Sequence, residues 1–83
     1  MTELKMIYLF VEIAKNHIPD IDDTDLEYDL RQISIDENGP ICSDGQLLDI
    51  FKTATRNTLD DGLLYRTIER ICMDYSERIL NTK

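Results

Sequence analysis

The sequence predicts an all-α protein, a small bundle of three to four helices that homodimerisation could complete. Apolar residues recur at three- and four-residue spacing in several separate stretches, as one buried helical face requires. Glycine and proline are scarce, and charged residues make up 31% of the chain, a balance that favours helices. With 83 residues, residues 1–83 read as a single helical domain. A chain this short buries only about 60–65% of its unfolded surface, so its stability margin is thin. Four Tyr, two Phe and no Trp leave a mainly aliphatic core, the kind that a second copy often completes.

The first helix is expected over Thr2–Asn16. One stripe is Leu4, Ile7, Val11 and Ala14; another is Met6, Phe10, Ile13 and His17. Two stripes make the helix apolar over most of its circumference, which calls for a central place or a subunit interface. Met6, Ile7, Phe10 and Val11 are the candidate core and dimer contacts. The second helix is expected over Asp22–Ile33, with carboxylates in its first turn, where the helix dipole favours them, and a core stripe of Leu26, Leu30 and Ile33. Asp36-Glu37-Asn38-Gly39-Pro40 is a break. Ile33–Ile35 can extend, but no strand partner is evident.

The third helix opens at Ser43 with Gln46 three residues on, the capping-box spacing in which each side chain satisfies a free backbone N–H. Leu47, Leu48, Phe51 and Ala54 form its buried face, and Asp49, Lys52 and Arg56 face water. The fourth opens at Thr58 with Asp61 three residues on and runs to Leu80. Its apolar face is Leu64, Ile68, Ile71, Cys72, Tyr75 and Ile79, and Arg70, Asp74 and Arg78 are spaced for opposite-charge pairs.

No catalytic constellation is present, so the chain is not expected to be an enzyme. His17, the single histidine, ends an apolar stripe and reads as structural. Ser34, Ser43 and Ser76 have no base nearby in sequence, and Ser43 already caps a helix. Cys72 lies on a core stripe. Cys42 precedes a helix N-terminus, where a lowered pKa would make it redox-sensitive. A calcium loop from Asp20 would use Asp22 and Thr24, but Asp25 stands where Gly is needed and Arg31 where Glu is needed. A loop from Asp36 continues to Asn38 and fails at Pro40. No metal and no cofactor are expected. A carrier protein would need Asp-Ser-Leu at a helix start, whereas this chain has Cys42-Ser43-Asp44-Gly45-Gln46. The apolar run 6–11 lies between Glu3 and Glu12 without a small-residue cleavage site, so it is not read as a signal peptide. It is also too short to span a bilayer.

The informative feature is charge. The net charge of −8 predicts no direct nucleic-acid binding and no anionic membrane surface. Residues 20–61 carry twelve acids against Arg31, Lys52 and Arg56, a net of −9, while the rest of the chain carries +1. Asp20, Asp22, Asp23, Asp25, Glu27 and Asp29 form the densest part and are the candidate contacts to a partner. Helix capping accounts for only some of them. Such a face speeds association with a basic protein surface and sets its specificity. The expected function is therefore a non-catalytic cytoplasmic regulator, connector or inhibitor that binds a basic protein. The alternatives are a structural homo-oligomeric subunit without an acidic-face role and an acyl-carrier-like protein.

The second half adds a resemblance. Gly39 in a turn, a helix from Ser43 with Leu47-Leu48 and Phe51, and Tyr65-Arg66-Thr67-Ile68-Glu69 leading the last helix resemble the YmgB/AriR family of small regulatory proteins over residues 39–75. The resemblance implies a helical, dimerising connector in signalling linked to biofilm and acid stress. DNA association, also attributed to that family, runs against the acidity of this chain. No functional residue is taken from the resemblance.

Overall fold

A computed structural model describes residues 2–56 and 60–82. The order of elements is α1 (Glu3–His17), α2 (Asp23–Leu30), β1 (Ser34–Asp36), β2 (Gly39–Ile41), α3 (Asp44–Thr55) and α4 (Asp61–Thr82). α1 packs on α2, α4 and β1, and α3 packs on α2 and α4, so α2 and α4 lie across the bundle from each other. The helical class follows the sequence, with a small hairpin added.

Each helix starts where a short polar side chain replaces a missing backbone partner. Thr2 accepts from the Lys5 amide at 3.2 Å, Asp22 from Asp25 at 3.0 Å, Ser43 from Gln46 at 3.1 Å and Asp60 from Leu63 at 2.9 Å. The expected cap at Thr58 lies outside the described residues. Only the Ser43 half of the expected capping box is recorded. On α1 the centre of the two predicted stripes is buried, namely Ile7, Phe10, Ile13 and Ala14. Met6 and Val11 are half-buried against the core, and Leu4 is exposed.

α2 ends three residues earlier than the periodicity predicts. After Leu30 the chain tightens into bonds from Gln32 to Asp29 and from Ile33 to Leu30, and Ile33 is half-buried outside the helix. The reason is the hairpin. β1 pairs antiparallel with β2 in the register Ser34 to Ile41, Ile35 to Pro40 and Asp36 to Gly39, so the extended stretch has a partner in residues that read as a break. Gly39 takes φ 121°, which an L side chain rarely adopts. The Asp36 carboxylate accepts from the Asn38 amide at 2.8 Å across the turn. Ile35 points into the core while Ser34 and Asp36 face out.

The core is aliphatic around three rings. Phe10 is fully buried and meets Tyr75 edge-on at 5.4 Å and Phe51 edge-on at 6.1 Å, favourable arrangements for aromatic quadrupoles. Leu26, Leu30, Leu64 and Ile71 close around them. Leu47, Phe51 and Ala54 are buried on α3, but Leu48 is only half-buried. Cys72 likewise sits at the core margin rather than inside it. The Tyr75 hydroxyl donates to the Asp36 carbonyl at 2.8 Å, binding α4 to the hairpin. Burial, aided by the Asp36 and Glu37 charges, pushes its pKa up to about 12. Thr55, the one buried polar residue among those described, donates to the Phe51 carbonyl at 2.8 Å.

Phe10→Ala should cost about 3–5 kcal/mol, a large part of the stability of a domain this size. Tyr75→Phe keeps the ring and removes the hydroxyl, and should cost about 1 kcal/mol. Urea denaturation followed by circular dichroism checks both values.

Candidate functional site

The six predicted contact acids do not form one uniform face. At 3.6 residues per turn, with Leu26 and Leu30 turned inward, Asp23 and Glu27 fall on one flank of α2 and Asp25 and Asp29 on the other. The first flank is neutralised. Asp23 pairs with Lys15 of α1 at 3.2 Å, and that lysine holds its carboxyl below the ordinary range. Glu27 accepts from Arg31 at 3.3 Å, and the same guanidinium donates to the Tyr8 hydroxyl at 3.0 Å. Asp22 caps α2 and reaches Arg56 at 3.5 Å. Asp20 is exposed in the turn between α1 and α2.

The second flank is bare. Asp29 faces a shallow depression of about 290 Å³ between α2 and α3, whose other walls include Gln32, Ile33, Gln46, Asp49 and Ile50. Asp25 stands one turn before Asp29 on the same flank. Among the described residues, Asp25, Asp29 and Asp49 have no ion-pair partner, and no basic side chain lines the depression. Two like charges four apart on a helix cost about 0.2–0.5 kcal/mol. Asp49 belongs to this site, although its spacing on α3 predicts only a place facing water. Two stretches twenty residues apart meet here because α2 docks along α3, with the Asp22 amide donating to the Ala54 carbonyl at 2.9 Å. Periodicity within one helix carries no signal for that meeting.

A second surface feature is an apolar groove of about 310 Å³ between the start of α3 and the middle of α4. It is lined by Leu47, Ile68, Cys72 and Met73, with Asp44, Tyr65 and Glu69 as polar walls. The Tyr65 hydroxyl donates to Asp44 at 3.1 Å, and that carboxylate raises the phenol's pKa.

The remaining candidates have local explanations. His17 Nε2 lies 3.1 Å from Asp74 Oδ2, joining the end of α1 to α4. Asp74 also reaches Arg78 at 3.6 Å, while the expected Arg70–Asp74 pair is not formed. Both cysteines are free thiols. Cys42 does not have the lowered pKa expected at a helix start: burial, with the Asp44 charge behind it, pushes it up. Burial, then Cys42, Asp44 and Glu69, pushes Cys72 up to about 11. Among the described residues no group of three or more His, Cys, Asp or Glu could hold a metal ion. Within the same residues no helix is long and apolar enough to cross a membrane.

No protein-family model, curated protein or solved structure matches this chain.

At neutral pH both thiols should alkylate slowly, because the thiolate is the reactive form. Raising the pH frees more thiolate, so the Cys72 rate should climb about tenfold per unit until near pH 11. Iodoacetamide labelling of Cys42→Ser and Cys72→Ser variants, read by intact mass, follows each thiol separately.

Proposed function

We propose that this chain is a non-catalytic binding protein that regulates, connects or inhibits a partner carrying a basic surface. The observation that carries this reading is the bare acidic flank: Asp29 and Asp49 line one depression, Asp25 lies a turn before Asp29 on the same side of α2, and none of the three has an ion-pair partner among the described residues, while Asp23 and Glu27 are each paired. Uncompensated like charges lower stability slightly, and a partner's Lys or Arg side chains repay that cost when they dock. Ile33 and Ile50 in the same depression give an apolar seat beside the charges, the combination of anchor and charged rim found in protein interfaces. A reducing cytoplasm suits the two free thiols, and the resemblance of the second half to a family of signalling connectors points the same way.

A tagged pull-down from the native host, eluted with a salt gradient and identified by mass spectrometry, supplies the partner. One basic protein released at moderate salt is the expected result, since screening weakens such contacts first. Reversing Asp25, Asp29 and Asp49 together to Lys should then weaken binding by about a hundredfold, in the range of a few close charge pairs, with the helical circular dichroism unchanged. Reversing Asp23 and Glu27 should weaken it far less, because both already have partners. If affinity survives the triple reversal, the acidic flank is not the binding surface.

A further inference from the structure

α4 is the longest helix, and only one of its faces is used by the fold. Leu64, Ile68, Ile71, Tyr75 and Ile79 turn into the core. The opposite face carries a second series at positions 63, 66, 70, 73, 77 and 80, the alternating three–four spacing of a coiled-coil seam. Its apolar members, Leu63, Met73 and Leu80, are 55%, 72% and 71% exposed. Between them stand Arg66, Arg70 and Glu77, none of which has an ion-pair partner among the described residues.

We propose that this face pairs antiparallel with the same face of a second copy, about a two-fold axis through the middle of α4. In an antiparallel pair, the two alternating sets of seam positions face each other. With the helices Asp61–Thr82 aligned end to end, Leu63 meets the partner's Leu80, Arg66 meets the partner's Glu77, and Arg70 lays its stem over the partner's Met73. The two-fold repeats each contact, as a self-complementary interface requires. A parallel pair would instead set Arg66, Arg70 and Glu77 against themselves. An antiparallel slip of one heptad would set Arg66 against the partner's Arg70, or leave Glu77 against the partner's Met73. The charges therefore select one orientation and one register.

Two copies at −8 each repel, but the α4 seam itself holds two arginines and one glutamate, so the paired face adds no negative charge of its own to that repulsion. The exposed apolar residues of α1, Leu4 and Tyr8, are each less exposed than those of the α4 seam, and Tyr8 already accepts from Arg31. A single helix pair buries on the order of 1,000 Å², the small end of stable interfaces, so the dimer is weak and concentration-dependent.

Analytical ultracentrifugation of the full chain, from about 10 μM to about 1 mM, should show a monomer passing to a dimer. Met73→Asp, at an exposed position, should weaken association about tenfold or more while leaving circular dichroism and thermal midpoint in place. R66E and E77R should each weaken it by about tenfold, since each places two like-charge contacts across the axis. The double variant R66E/E77R restores opposite charges and should recover most of the loss. A monomer at every concentration, a dimer indifferent to Met73→Asp, or a double variant no better than the single ones would overturn the proposal. The measurement needs no binding partner, so its outcome is independent of the acidic-flank reading.

Discussion

Tyr75 is held at both ends, and the arrangement of the other elements depends on it. Its ring stands edge-on to Phe10, which in turn stands edge-on to Phe51, so one aromatic chain links α4, α1 and α3. Its hydroxyl takes the Asp36 carbonyl, which fixes the hairpin against α4. A phenol is suited to this place because it fills a dry core while its polar tip finds an acceptor at the margin. Leucine has no group that could make that bond. The hairpin has only three residues per strand, too little to stand alone. It persists because Ile35 enters the core from one strand and Tyr75 grips the other end of the same strand.

Charge is handled differently on the two flanks of α2. On the flank beside α1 the carboxylates are paired at the surface, Asp23 with Lys15 of α1 and Glu27 with Arg31 at the end of α2 itself. The flank beside α3 meets Gln46, Asp49 and Ile50 and stays anionic. A core of this size tolerates a few tenths of a kcal/mol of repulsion at its surface. The unpaired charge of α2 is thereby concentrated into a narrower strip than composition implies.

The sequence carried the helices and half of the site. α1, α3 and α4 were legible because amphipathic periodicity runs through twelve or more residues in each and because Ser43 announces a start that the structure uses. α2 was legible at its acidic beginning and not at its end, since Ile33 continues the helical spacing while its branched side chain equally suits an extended chain. The hairpin was hidden because Gly39 and Pro40 are strand breakers by composition. They serve here because one supplies a positive φ and the other sits at an edge where no donor is needed. Asp25 and Asp29 were visible as acids, but their difference from Asp23 and Glu27 depends on where Lys15 and α3 lie. The raised Cys42 pKa was hidden for a related reason, since helix position argued for a lowered value and burial outweighs it.

The first and last helices are neighbours, with Phe10 and Tyr75 in contact across 65 positions of chain. During synthesis, the apolar face of α1 emerges long before the helix that covers it. Most of the core cannot close until α4 has left the ribosome, so folding is late and collective rather than progressive from the front. The nascent chain therefore passes through an interval with Ile7, Phe10 and Ile13 uncovered. The 65 positions between Phe10 and Tyr75 take only seconds at ordinary elongation rates of about 5–20 residues per second.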